Sequence, residues 1–570
     1  MRKTLLCVVL AVISTTIVMA SGQAEQRAAA DIVVNPPGTM PIVDELVTID
    51  VMTLYGAVEH DGNYQDAAFT AWYEDLTNVR MNFIDVVESQ AWAERLNLAL
   101  ASGDLPDTIM NQHAFSSGQI VFSNGIYGNF IAVDDLIEHW MPGLSATLEE
   151  YPEYAAQLVM PDGNRYSFPS LEATCYHCTM SYKMWVYMPW LEELGLDPPE
   201  TTDEFYEMLV AFRDEDPNRT GRADTIPLAG AATGAWNANP LMPFILSSFV
   251  YTDPSSFLRR TNGTLEFVAN TDEWREGVRY VARLYREGLL MADSFTQGAD
   301  QLRSAVENPG PAIVGAVPAG WYGVFSINSW EGSGRFADFH MLAPVRGPTG
   351  LRQTVYMPPA VQHHTVITRD ARYPEVIARL NDWFYESLEN RELGQNFLFA
   401  GQDYRWLTAE ERASGELVST DFSIADYVLL REQTYGEDRS WDGWRRLAPR
   451  FAPGGGNAMP PEWRTDPTKQ GWRNAQGTRE FYEPYKADHS LPPGLIVADD
   501  LQDELTDLRQ LIIGAAGAPG LVQQFYAEFV TGSRDIENDA HWRAYVTELR
   551  RAGVDRYVQI MQETLTAAGY

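Results

Sequence analysis

Nine residues near the middle of the chain, Asp216-Pro217-Asn218-Arg219-Thr220-Gly221-Arg222-Ala223-Asp224, set oxygen side chains at the first, third, fifth and ninth positions of a loop. Gly221 falls at the sixth position, where a calcium loop turns sharply, and Arg222 at the seventh offers its backbone carbonyl. A hard cation needs several converging oxygens, and Asp216, Asn218, Thr220, Arg222 and Asp224 supply them from one turn. The twelfth position is Pro227, so the bidentate Glu of an EF-hand is absent. The next residues, Thr225-Ile226-Pro227-Leu228, read as a strand and not as a second helix. An Asp/Asn/Gly turn that joins helix to strand without metal has the same composition.

A second pattern is Cys175-Tyr176-His177-Cys178. In an exported chain a local disulfide between Cys175 and Cys178 is expected. A redox-active pair is the alternative, but the strand-then-helix context of thioredoxin-like sites is missing. Haem attachment requires His after the second Cys, where Thr179 stands. His177 is a metal-ligand type, but two further ligands are not evident nearby.

Lys+Arg total 42 against Asp+Glu 78, a net charge of −36 that becomes −38 once a leader carrying Arg2 and Lys3 is removed. That field repels phosphate backbones and argues against nucleic-acid binding. The four lysines are Lys3, Lys183, Lys469 and Lys486, none after a glycine, so no Walker-type loop exists. With 45% apolar and 21% charged residues, the 570-residue chain is of globular composition and long enough for several domain-sized units.

These groups must be positioned by the elements around them. Arg2 and Lys3 precede a mostly apolar run, Leu5 to Val18, too short for a comfortable membrane span. Val18-Met19-Ala20 predicts cleavage after Ala20, and Ser21 replaces the Cys of a lipoprotein. The expectation is a periplasmic or extracellular protein without a lipid anchor, an uncleaved anchor being the alternative. Residues 21–45 read as a flexible tether. Leu46 to Leu54 alternates as a first strand. Ser89 to Ser102 reads as a helix with Gly103 as its C-terminal cap. Thr201 and Glu204 form a capping box ahead of Phe205, Met208, Leu209 and Phe212 at helical spacing. Trp274–Glu287, Pro374–Leu388 and the last forty residues read as helices, with strands at Ala312–Val317 and Thr365–Thr368. The alternation argues for an α/β fold with largely parallel sheets. Residues 401–500 differ, with Trp406, Trp441, Trp444, Trp463 and Trp472 in weakly periodic sequence. They read as a long loop that is either a lid or a cover over the core.

The stretch from the helix at 201–212 through Asp216–Asp224 to Ile226-Pro227-Leu228 resembles the "DPNGNGKADEIPL" region of extracellular solute-binding protein family 1. The resemblance is to the large lipoprotein- and alginate-binding-like branch serving carbohydrate ABC importers. LALASGDLP at 98–106, DGNRYSFP at 162–169, WLEELGL at 190–196, and the stretches 283–301 and 529–557 resemble further signatures of that family, in order. The resemblance implies a two-lobed periplasmic-binding-protein fold of type II, with hinge-crossing strands and a ligand cleft between lobes. Residues 46–180 and 355–400 would form the N-terminal lobe. Residues 181–354 and 401–570 would form the C-terminal lobe, with the Trp-rich insertion near 401–500. Hinge closure is the motion of this architecture. The family's calcium loop matches at Asp216, Asn218, Thr220, the Arg222 carbonyl and Asp224; Thr225 stands where the family often has Glu.

The implied function is capture of an oligosaccharide for a membrane permease, by a monomer, without catalysis. Sugar sites pair aromatic platforms with polar side chains, and the chain is 12% aromatic. Candidate cleft residues on loops after strands are His113, Glu172, Trp236, Asn237, Asn239, Trp321, Tyr322 and Tyr356. Two other classes fit the same chain. A peptide- or amino-acid-binding receptor would share the fold. A secreted polysaccharide hydrolase or lyase would need two flanking carboxylates that the sequence does not single out. His-Glu-x-x-His and Gly-x-Ser-x-Gly motifs are absent.

Overall fold

The strand Val47–Tyr55 organises the first lobe. It is parallel to Val79–Glu88 on one side and to Thr108–Met110 on the other. Its side chains alternate, so Ile49 and Val51 are buried with Phe69, Tyr73 and Ile377, while Met52 and Leu54 are buried with Trp92, Leu96 and Ile109. The full sheet has six strands, in the order Phe451–Ala452, Phe168–Glu172, Gln362–Ile367, Thr108–Met110, Val47–Tyr55, Val79–Glu88. The second lobe is built on a four-stranded sheet, in the order Phe339–Leu342, Met184–Tyr187, Val314–Pro318, Ile226–Leu228. The sheets are mixed where largely parallel ones were expected. Gln362–Ile367 runs antiparallel to both its neighbours, and so does Met184–Tyr187. Both strands follow crossings between lobes, which reverse the chain's direction.

This computed structural model describes residues 32–55, 63–88, 91–111, 113–115, 118–172, 176–234, 236–239, 242–326, 334–385, 404–419, 422, 425, 427–430, 444–449, 451–452, 458–459, 461, 466, 469–515 and 518–570. The leader, the first part of the expected tether, Cys175, Trp441 and Trp463 lie outside the described residues, and the helix expected to reach Leu388 ends at Asp382, with a turn at 383–385. Among the described residues no helix is long and apolar enough to cross a membrane.

Local signals act as the sequence implies. Gly103 caps Trp92–Ser102 at φ +73°, and Thr201 and Glu204 close a reciprocal capping box on Thr202–Asp214. Helix Asp272–Arg286 buries Trp274 against Tyr526, Trp542 and Tyr545 of the C-terminal helices, with ring centroids about 6 Å apart. Crossings between the lobes run from Glu172 to Met184 and from Leu342 to Gln362. A further segment at 486–499 leaves the second lobe and touches the first. Thr354–Val355 pairs with Lys486–Ala487, and Tyr182, Tyr251, Val355 and Ala487 form a small core there. Ile496 then packs on the first lobe's core, and Asp499 accepts from Ser123 and Tyr127.

Two stretches differ from the sequence expectation. Residues 32–45, assigned to the tether, dock on the first lobe. Ile42 and Val43 are buried, and Arg379 donates to the Pro36 and Thr39 carbonyls. The insertion, assigned to the second lobe, divides between the two. Trp444 is buried in the first lobe against Phe69 and Phe384, its indole N–H donating to Thr70. Phe451–Ala452 extends the first lobe's sheet, while Trp472 is buried beside Phe422 in the remaining part.

Candidate functional site

Strands Thr108–Met110 and Phe168–Glu172 point the same way, since Gln362–Ile367 opposes both. His113, just past the first, and Glu172, at the end of the second, therefore lie at one edge of the sheet. Tyr356 lies in the crossing ahead of Gln362 and packs against the second lobe's core. In the second lobe Ile226–Leu228 and Val314–Pro318 are parallel, and the loops after them carry Trp236, Asn237, Asn239, Trp321 and Tyr322. Met184–Tyr187 runs opposite, so the turn Tyr176–Met180 before it meets the same edge. Carboxyl ends of strands are where open α/β sheets receive ligands, because the loops there converge without covering backbone already paired in the sheet.

Trp236 is the exposed aromatic of this edge, with 40% of its surface open. Three contacts hold it. Its ring lies against Gly320, where a Cβ would stand 2.4 Å from the indole, so only glycine fits beneath it. The Gly320 N–H donates to the Trp236 carbonyl at 3.0 Å. His177 meets the indole edge-on at 6.5 Å. The next residue, Asn237, adopts φ +59° and donates from its amide to Ser181 Oγ at 2.6 Å. Trp321 is half-buried, its ring over Gly323. The sequence Gly320-Trp321-Tyr322-Gly323 thus removes two side chains so that two indoles can lie on backbone.

Beneath this turn lies Lys183. It is fully buried and donates from Nζ to the His177 carbonyl at 2.6 Å, with the Tyr482 ring 5.7 Å away. Burial pushes its ammonium down to about 7. Burial, and then the Lys183 charge, holds the His177 imidazole down to about 3. Cys178 is disulfide-bonded.

The structure gathers Trp236 and Asn237 around the turn at 176–181, with Trp321 on the loop that carries Gly320, and gives the other expected residues further partners. Asn239 accepts the Met242 N–H at its backbone carbonyl. Tyr356 is half-buried, with Lys486 Nζ 3.7 Å from its ring centre. His113 is exposed at the first lobe's edge, its N–H on Asn111 Oδ1. Glu172 pairs in register with Ala452. Tyr322 must be withdrawn from the groove: it is buried, 4.2 Å from Trp185, with Arg473 over its face. A 3-10 turn at Tyr322–Val324 swings it into the core, which strand-then-loop reasoning did not foresee. His177, Ser181, Lys183 and Gly320 were not singled out as site residues. One signal was available, since Lys183 is one of only four lysines.

The oxygen loop closes on itself. Thr220 and Gly221 N–H groups donate to Asp216, and Asn218 Nδ2 and Thr220 Oγ1 each reach Asp224 Oδ1 at 2.9 Å. Arg222 pairs with Asp224 at 3.0 Å, and Gly221 takes φ +67°. These bonds, that from Asn218 first, lower the Asp224 pKa. Among the described residues no three His, Cys, Asp or Glu side chains gather at one point. The loop instead brings two carboxylates together with amide and hydroxyl oxygens. That donor set suits a hard cation, with fewer charges than a tight site uses.

A profile of the bacterial extracellular solute-binding protein family matches residues 57–380. The fructooligosaccharide ABC transporter substrate-binding protein FusA of Streptococcus pneumoniae serotype 4 is 27% identical over 506 residues, covering 87% of this chain and 84% of FusA. Solved structures of FusA with kestose, and of its EF-hand mutant with fructo-nystose, superpose with a TM-score of 0.68 at 24% identity over 91% of this chain and 99% of theirs. An extracellular solute-binding protein of Bifidobacterium longum subsp. infantis superposes with a TM-score of 0.72 at 17% identity, covering 92% of this chain and 98% of its own.

Proposed function

The chain belongs to the bacterial extracellular solute-binding protein family, and on that premise we propose that it captures an oligosaccharide between its lobes and hands it to an ABC permease. The observation that carries the reading is Trp236, an exposed indole clasped by Gly320, His177 and the Asn237–Ser181 hydrogen bond at the edge of the second lobe. A rigid, half-open ring presents a flat face to sugar C–H groups at little entropic cost, and on closure His113 at the first lobe's edge would reach the same ligand. The fructooligosaccharide specificity in FusA's name supports a saccharide over a peptide. Closure about the crossings follows from ligand contacts made with both lobes at once, since only the closed form gains them.

The protein does no chemistry on the sugar in this reading, and acts as an exported monomer processed after Ala20 without a lipid anchor. Asp216, Asn218, Thr220, the Arg222 carbonyl and Asp224 would hold calcium. The ion would neutralise the two carboxylates and tie the end of helix Thr202–Asp214 to strand Ile226–Leu228. The test is ligand-induced thermal stabilisation across glycan and peptide libraries, with the bound glycan recovered for analysis. Stabilisation by oligosaccharides that are recovered intact is expected. Stabilisation by peptides alone, or new reducing ends or unsaturated products, would refute the reading.

A further inference from the structure

Phe422 stands at the centre of a second aromatic group that the Trp236 site does not include. Its backbone is left-handed at φ +65°, a costly conformation for a bulky residue and one found preferentially at ligand clamps and switch regions. Its ring meets Tyr176 at 5.7 Å and Trp472 at 5.4 Å, both edge-on, and Arg479 lies over one face at 4.5 Å. The Tyr176 hydroxyl donates to the exposed carboxylate of Glu483. Arg479 and Glu483 come from an irregular stretch, a π-helical turn at Thr478–Tyr482 followed by a 3-10 turn at Glu483–Tyr485. Such wide turns concentrate at functional sites, because they aim side chains that a regular helix cannot.

Tyr176 and His177 are adjacent in one 3-10 turn, so the Phe422 group and the Trp236 group hang from α-carbons about 3.8 Å apart. One short oligosaccharide can reach both. We propose that Tyr176, Phe422 and Glu483 form a second saccharide subsite, taking an uncharged ring of the same chain whose neighbour lies on Trp236. This rests on the reading of Trp236 as a sugar platform. The aromatic edges contact C–H groups and the Tyr176–Glu483 pair orders hydroxyls. Arg479 keeps its charge over the Phe422 ring and the exposed Glu483 carboxylate balances it, so the subsite offers a uronate no net attraction.

The test is calorimetric titration of the full chain with neutral oligosaccharides of increasing length and with a uronate oligosaccharide of matched length. In Phe422→Ala, Tyr176→Phe and Glu483→Gln, the disaccharide should bind within twofold of the parent, while the longest ligand loses about tenfold. Glu483→Gln should gain affinity for the uronate. Tyr176→Phe removes only a hydroxyl and Glu483→Gln changes an exposed side chain, so both keep the test alive if Phe422→Ala does not fold. Equal losses at every length, no loss at any length, or parent preference for the uronate would overturn the subsite. Trp236→Ala separates the two readings: it should weaken every length, and its failure to do so sinks the platform itself.

Discussion

Replacing Lys183 by Met should stabilise the protein at pH 6 and flatten the pH dependence of its stability above neutrality. The ammonium is fully buried, and among the described residues its one hydrogen bond goes to the neutral carbonyl of His177. Uncompensated burial lowers its pKa from 10.5 to about 7. Below pH 7 both folded and unfolded chains carry the proton, so the folded state bears the whole cost. Between about pH 7 and 10.5 the unfolded chain holds one more proton than the folded chain, so stability rises with pH through this window. The slope approaches about 1.4 kcal/mol per pH unit, and the full span amounts to about 5 kcal/mol.

Met fills much the same volume and carries no charge. The lost charged hydrogen bond costs about 1.5–3 kcal/mol, leaving a net gain of about 2–3 kcal/mol at pH 6. Urea unfolding of the parent and Lys183→Met at pH 6, 7, 8 and 9 reads this directly, through the midpoint of the second lobe's transition. The two stability curves should converge by about 2 kcal/mol between pH 7.5 and 9. Parallel curves across that range would refute the reasoning, since other titrating groups are common to both proteins.

Gly320→Ala places a methyl 2.4 Å from the Trp236 ring and should weaken oligosaccharide binding about tenfold in calorimetric titration, with the melting temperature nearly unchanged. A chelator should lower the melting temperature of calcium-loaded parent protein and leave Asp216→Ala unaffected; equal melting of the parent with and without chelator counts against the ion. Burial holds the His363 imidazole at about 4, against an ordinary 6.5. The unfolded chain therefore takes up a proton first as pH falls, and stability should drop between pH 6.5 and 4 by up to about 1.4 kcal/mol per unit. His363→Gln should remove that component of the acid slope in urea unfolding.

Much of the scaffold was legible because its signals are local. The Thr201–Glu204 capping box, the Gly103 cap and the β-branched alternation of the first strand each depend on a few neighbouring residues. Trp236, Asn237 and Trp321 were legible as loop residues after strands. Their supports were not, because Gly320 lies 84 residues from Trp236 and Ser181 lies 56 from Asn237. Tyr322 was misplaced for a related reason. A one-residue difference in a tight turn sends Trp321 outward and Tyr322 against Trp185, and sequence period says nothing about direction after a strand ends. Trp444 was equally hidden, since its partners Phe69 and Thr70 lie some 374 residues away and nothing near it marks the first lobe. Docking of Ile42 and Val43 likewise depends on Arg379, far along the chain.

Lys183 joins the stability and function arguments. Its ammonium grips the carbonyl of His177, and the turn at 176–180 carries the two side chains that face the two aromatic groups, Tyr176 toward Phe422 and His177 toward Trp236. A buried cation without a carboxylate partner among the described residues is a poor device for stability. Its hydrogen bond is strong because the surroundings are dry, so it is an effective device for fixing one carbonyl. If that is why the cost persists, the stabilised Lys183→Met variant should bind oligosaccharide more weakly than the parent. The loss should be about three- to tenfold at pH 6, through a turn free to shift beneath both rings. The parent should itself lose affinity as pH rises past 7 and the amine sheds its charge, while the variant should stay flat. Calorimetric titration of the same ligand at pH 6 and pH 8.5 decides it. A variant that is more stable and binds as tightly as the parent would show that Lys183 holds the turn for no purpose of the site.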